Sequence, residues 1–260
     1  MTTTLRSAVL GDDVEAVAIA IAADENPSVG GVARQLDALA LSLAPAVLAE
    51  RGPRRLAPLV RGIYRRLGFT TPETYGDPEL CLIDRVLERR EGTPVALSVV
   101  LIAVGRRLGV PLCGVAFPGH FMVRFDGASA PVFVDPSSGL FPFPARSLIE
   151  VAADELGVDD EDAERFLRPV SASTFAVRLL QNLQRAHEDR GDLGRAMLVA
   201  DRLFEVTGSP SARVDRGLRA AALGAPHGAL DDLTAYLAHH RDLRVSEAAA
   251  KLTPTALDLN

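Results

Sequence analysis

Residues 93–109 read Thr93-Pro94, then VALSVVLIAV over positions 95–104, then Gly105-Arg106-Arg107-Leu108-Gly109. Thr93 supplies a capping hydroxyl, and Pro94 brings a preset φ to the first helical position, so a helix starts here. The ten residues after Pro94 are apolar or small on every side, and a helix that is apolar all round must be buried. Arg106 and Arg107 suit the last turn, where cations meet the negative end of the dipole, and Gly109 closes it. This stretch therefore predicts the central helix of a core.

Three short strands should come next: Leu112–Phe117, His120–Phe125 and Val132–Asp135. Pro118-Gly119 and Asp126-Gly127 mark the turns between them. A core helix followed by an antiparallel meander is an α+β arrangement. If residues 126–129 form a four-residue loop, Phe125 opposes Ala130 and His120 opposes Asp135. Opposed residues of an antiparallel pair share a face, with Cβ atoms about 4.5–5.5 Å apart. With a tight turn at Phe117–Gly119, Ala116 opposes His120 and Cys113 opposes Val123, on the other face.

Upstream, Val14–Ala23, Val32–Leu48, Leu56–Leu67 and Leu80–Arg90 read as helices, with FTTPETYGDP (69–78) as a turn-rich break. After Phe141-Pro142-Phe143-Pro144 the pattern returns to helices near Ser147–Leu156, Thr174–Asp189, Leu193–Val206, Ala212–Leu223 and Gly228–His239. A weak echo recurs at a 33-residue offset: Gly191 with Gly224, Ala196 with Ala229, Leu203 with Tyr236, Phe204 with Leu237. That period suits helix–turn–helix repeats of the tetratricopeptide kind. Two domains are expected, 1–165 and 166–260.

The chain has 260 residues, 48% hydrophobic and 24% charged, with a net charge of −6. That is globular composition, and it offers no basic footprint for nucleic acid or an anionic membrane. No uncharged apolar run is long enough to span a bilayer, and the N-terminus lacks a signal-peptide pattern, so a cytoplasmic location is expected. Two cysteines, Cys81 and Cys113, are too few for a disulfide framework or a cysteine-based zinc site. The histidines other than His120 have no ligand spacing with carboxylates, and no phosphate-binding loop is present, so neither metal nor cofactor is expected.

The residues that can do chemistry centre on His120. A carboxylate at Asp135 can accept the imidazole N–H and fix its tautomer, the orienting half of a catalytic triad; the plainer reading is a half-buried histidine closing a hydrogen bond at a strand end. A nucleophile belongs at a helix N-terminus, where the dipole stabilises a thiolate, but the helix opening at Thr93-Pro94 has no cysteine. Ser98 lies one turn in; a buried helical serine bonding back to the preceding turn is its bland reading. Cys113 reads as core, and Cys81, ahead of the helix leading to Thr93, reads as core or as a substitute nucleophile. Arg124 shares the His120 face and can bind a carboxylate or pair with Asp135. Gly119 supplies a backbone conformation that places His120 at a strand start.

The segment RVLERREGTPVALSVVLIAVGRRLGVPLCGVAFPGHFMVRF, ending at Phe125, resembles the bacterial SirB-type proteins, as do LGFTTPETYGDPEL upstream and VFVDP downstream. The resemblance implies a transglutaminase-like, papain-like core followed by tetratricopeptide-like helical hairpins. It puts His120 at the histidine position and Asp135 at the aspartate position of a Cys-His-Asp site. The cysteine position falls near Pro94, which has no nucleophile, and the family commonly has a small polar residue where Cys81 stands. The expectation is a mostly helical α+β protein in which the core is non-catalytic or repurposed and the C-terminal helices bind a protein partner. The alternative is a hydrolase or acyl-transfer enzyme using His120 and Asp135 with Ser98, Cys81 or an activated water.

Overall fold

A computed structural model describes residues 4–138 and 142–258. Thirteen α-helices and a four-stranded sheet make up the described chain. The N-terminal helices are α1 (Leu5–Leu10), α2 (Val14–Glu25), α3 (Val32–Leu48), α4 (Leu56–Arg61) and α5 (Ile83–Arg89); α6 (Pro94–Arg107) is the core helix. Strands β1 (Leu112–Val115), β2 (Met122–Phe125), β3 (Val132–Val134) and β4 (Phe143–Pro144) come next, then α7 (Ala145–Leu156) and α8 (Asp160–Arg165). The chain ends in α9 (Ala172–Asp189), α10 (Leu193–Thr207), α11 (Pro210–Ala222), α12 (Pro226–Leu237) and α13 (Leu243–Asp258).

Every residue of α6 from Val95 to Gly105 is buried, as its uninterrupted apolarity requires. The Thr93 hydroxyl caps it, accepting from the Ala96 N–H at 3.4 Å. Helices α2, α3 and α5 and strands β1 and β2 wrap it. Its C-terminal arginines do more than complement the dipole. Arg106 Nη2 and Arg107 Nη1 and Nη2 donate at 2.6, 2.7 and 2.9 Å to Glu15, an acid of α2 that is only 6% exposed. A buried carboxylate is tolerated when it is paired and hydrogen-bonded in this way.

The sheet is an antiparallel meander in the order β1-β2-β3-β4, as expected for the first three strands. The fourth, Phe143–Pro144, falls where the sequence reads as a break; Phe141 lies outside the described residues. One face of the sheet (Val115, Met122, Phe133) packs on Leu148 and Ala152 of α7 and Ala163 of α8. The other carries Leu112 and Gly114. An added Cβ at Gly105 of α6 would meet Leu112 Cδ1 at 2.6 Å, and one at Gly114 would meet Phe175 Cζ at 2.3 Å. The sheet is therefore covered on both sides.

The expected helix over Leu56–Leu67 changes character halfway. Beyond Arg61 the chain forms a π turn, Gly62–Arg66, closed by the Leu67 N–H on the Gly62 carbonyl at 2.9 Å. Gly62 lies so near Leu43 that an added Cβ would sit 2.6 Å from its Cδ2, and the wide turn keeps both Ile63 and Tyr64 buried.

The chain divides into two compact units, Met1–Tyr75 with Glu79–Leu179, and Gly76–Pro78 with Leu180–Asn260. The division falls inside α9, later than position 165. Leu167 belongs to the cluster under the sheet, the Val170 N–H donates to the Gly114 carbonyl at 2.9 Å, and Phe175 meets Phe121 edge-on at 4.7 Å. In the second unit α11 packs against both α10 and α12, and α12 against α13. The 33-residue echo falls on matching places. Gly191 and Gly224, with φ of 75° and 73°, precede α10 and α12, and Ala196 and Ala229 are fully buried within them. The α13 helix has no counterpart among the helices expected from the sequence.

Gly114→Ala should destabilise the first unit by about 1–3 kcal/mol, the usual result of forcing a methyl into a filled core. Urea unfolding of the variant against wild type measures it.

Candidate functional site

His120 ends a four-residue turn, Phe117–His120, in which the His120 N–H donates to the Phe117 carbonyl at 3.0 Å. Pro118 sits at its second position, and Gly119, at φ +70°, at its third, the geometry of a type II turn. Nothing lies within 4 Å of a Cβ placed on Gly119, so conformation and not space calls for glycine there.

Asp135 stands one residue past β3. Its Oδ1 accepts from the Ser137 N–H at 2.8 Å and the Ser137 hydroxyl at 2.6 Å, an Asx turn that fixes the carboxylate. Its Oδ2 lies 3.6 Å from His120 Nδ1. At that distance the contact is electrostatic and longer than a hydrogen bond; such contacts often tighten only when a site is engaged. The imidazole is 55% exposed and the carboxylate side chain 13%, so the ring projects outward from a shielded acid.

The two meet although the expected register is not the observed one. Phe125 pairs with Val132, not Ala130, because the β2–β3 loop runs over 126–131. A slip of two residues leaves every side chain on its original face, so the pair survives as a diagonal contact at the strand ends. The β1–β2 register differs by one, and there the consequence is larger. Cys113 pairs with Arg124, not Val123, and its sulfur lies 3.7 Å from Asp126 Oδ2. Burial, and then the charge of Asp126, push its thiol up to about 11. Cys113 is half-buried at the sheet rather than fully in the core.

The remaining sequence candidates are engaged elsewhere in the fold. Ser98 is fully buried and donates its hydroxyl to the Pro94 carbonyl at 2.8 Å, which leaves that proton committed to the helix. Cys81, 2% exposed, ends the 3-10 turn Pro78–Cys81. Arg124 does not pair with Asp135. Its Nε donates to Asp126 Oδ1 at 2.7 Å and its Nη1 to the Leu167 carbonyl at 3.1 Å, so its guanidinium is spent within the fold. Among the described residues, no group of three or more His, Cys, Asp or Glu side chains is arranged to hold a metal.

One strap ties this pair to the start of α6. The Thr70 N–H donates to the Arg90 carbonyl at 2.9 Å, and the Gly92 N–H returns to the Thr70 carbonyl at 3.1 Å. The next residue, Thr71, donates its hydroxyl to the Ser137 carbonyl at 3.3 Å. The Asp135 turn is thus linked through two threonines to the residues just before Thr93. Neither Ser137 nor this strap stands out in the sequence as a site feature. Asp135-Pro136-Ser137 is a legible Asx-turn signal, whereas nothing local marks the partner of Thr71.

The exposed histidine and the shielded acid behind it are thus linked, through the threonine strap, to the residues just before the buried helix α6, which packs on the meander. Residues 31–181 match the model of the transglutaminase-like superfamily, and the chain belongs to that superfamily. It is 37% identical over 230 residues to a UPF0162 protein of Xylella fastidiosa, covering 85% of this chain and 81% of that one. A UPF0162 protein of Pseudomonas aeruginosa is 30% identical over 252 residues, covering 91% and 90%. Protein SirB1 of Salmonella typhimurium is 26% identical over 200 residues, covering 74% and 72%. No solved structure matches significantly. Among the described residues, no helix is long and apolar enough to cross a membrane.

Alkylation of Cys113 by iodoacetamide should stay slow up to about pH 9 and speed up only as the pH nears 11, since the raised pKa leaves little thiolate below that range. Peptide mass spectrometry of pH-jumped samples measures it. His120→Ala should leave the profile unchanged; a fast reaction near neutral pH that disappears in His120→Ala would make this a thiol site.

Proposed function

We propose that this chain is a repurposed, non-catalytic transglutaminase-like protein that keeps the His120–Asp135 pair without a nucleophile and acts by binding a protein partner through its C-terminal helices. The observation that carries this reading is the start of α6. The position where the dipole would activate a thiol is occupied by Thr93, whose hydroxyl caps the helix, and Pro94, which has no reactive group. Neither cysteine compensates: Cys81 is buried, and the Cys113 thiol is held protonated. Ser98, the nearest hydroxyl along the helix, is engaged by Pro94.

Support for partner binding comes from the second unit. Its 33-residue correspondence fits tetratricopeptide-like hairpins, which stack to give extended binding surfaces. Large apolar side chains stand in solvent there: Leu198 of α10 is 66% exposed and Leu218 of α11 is 41% exposed.

A second reading has its own observation. With Nδ1 towards Asp135 and the ring more than half exposed, His120 presents Nε2 outward, as a general base for a water molecule would. Function has to be argued from such a site and not from the fold that holds it.

Affinity capture from a bacterial lysate with the full chain separates these readings. A specific partner should be retained equally by wild type and His120→Ala and lost from Leu198→Glu. A partner lost with His120→Ala but kept by Leu198→Glu would move the interaction to the transglutaminase-like face. Turnover of a bound protein, abolished by His120→Ala, would establish the enzymatic reading instead.

A further inference from the structure

Helix α3 carries an apolar stripe that its own chain leaves uncovered. Asp37, Leu41, Ala44 and Leu48 recur at spacings of four, three and four residues, the heptad seam of a helix that meets another helix. Leu41 is 74% exposed and Leu48 51%, whereas Leu36, Leu43 and Val47 on the neighbouring stripe are buried in the core. The seam is also concave. Asp37, Ala40, Leu41, Ala44 and Leu48 line a groove of about 380 Å³ with Arg107 and Leu108 from the end of α6. Its wall is fixed, because Arg107 Nε donates to Asp37 Oδ1 at 2.6 Å while its Nη groups hold the buried Glu15. Small residues at Ala40 and Ala44, between two projecting leucines, leave a hole of the kind that a leucine from a facing helix fills.

The charges at the two ends of the seam say what covers it. Asp37 stands seven residues before Ala44, and Arg51 stands seven residues after it, exposed just past the end of α3. Arg51 makes no ion pair among the described residues. Turned about a two-fold axis at Ala44, a second copy brings its own Arg51 towards Asp37 and its own Asp37 towards Arg51. A two-fold contact requires a patch that is complementary to itself in this way, and closed two-fold dimers are the commonest assemblies. A helix from an unrelated protein would need no such symmetry. We propose that α3 is a dimerisation helix: two copies pack their α3 helices antiparallel about an axis at Ala44, burying Leu41 and Leu48 of each. The alanine at the crossing lets the two backbones approach closely. Apolar burial drives the contact, and the end charges set its direction, since a parallel pair would place Asp37 beside Asp37 and Arg51 beside Arg51. The surface belongs to the first unit and is independent of the role given to the C-terminal helices.

Light scattering on the full chain as it leaves a sizing column tests this at low salt and high micromolar concentration. Wild type should have twice the mass of one chain. Leu41→Glu should have the mass of one chain with its helical circular dichroism unchanged, because that side chain stands in solvent. Arg51→Glu, which sets two acids together at each end, should raise the dissociation constant several-fold, and added salt should shrink the difference. Ala44→Cys, at the axis, should form a disulfide with its own counterpart under mild oxidation, located by peptide mass spectrometry. Ala46→Cys, on the far side of the helix, should not. A wild type that stays at the mass of one chain up to the millimolar range would overturn the inference and leave the groove to a helix of another protein. A dimer that survives Leu41→Glu would overturn it too, as would equal crosslinking of Ala44→Cys and Ala46→Cys.

Discussion

The burial of α6 is the constraint on which the rest of the first unit depends. Leu97, Ser98, Val99, Val100, Leu101 and Val104 are wholly inaccessible and are spread around the helix, so it cannot sit at a surface and must be enclosed. Enclosure dictates what surrounds it: helices α2, α3 and α5 on some sides and the meander on another. Glu15 and the two arginines secure the C-terminal end with hydrogen bonds that satisfy a carboxylate the packing has taken out of water. At the other end, Thr93 and Pro94 settle the N-terminus without a charge. The helix start is built for capping and rigidity.

The His120–Asp135 pair is held from three directions: a type II turn before the histidine, an Asx turn after the aspartate, and the strap at Thr70–Thr71 that links them to the start of α6. Such orientation is what a general base needs, while the start of α6 itself carries the capping Thr93 and Pro94. Membership of the transglutaminase-like superfamily explains the fold; a chemistry has to be argued from the site.

Much of this is legible in the sequence, and the misses share a cause. Periodicity and capping locate α3 and α6 almost to the residue, because an apolar pattern with terminal signals is local information. The facing of His120 and Asp135 is legible for a different reason: a period-two pattern tolerates an even error in loop length. Cys113 is misplaced because an odd error is not tolerated. The π turn at Gly62–Arg66 is not legible in the sequence, since it goes with the close approach of Gly62 to Leu43, a tertiary contact that no local pattern encodes. Asp126, the partner of both Arg124 and Cys113, reads in the sequence only as a turn residue.

The most direct test of a retained frame with an unoccupied nucleophile position is to supply the thiol. In Pro94→Cys, the alkylation rate of the introduced thiol against pH should reveal a thiolate well below the ordinary cysteine range near about 8.5, and the shift should disappear in the His120→Ala background. A thiol at that position that titrates ordinarily in a folded variant, with or without His120, would contradict the claim that α6 and the His120–Asp135 pair still form one site.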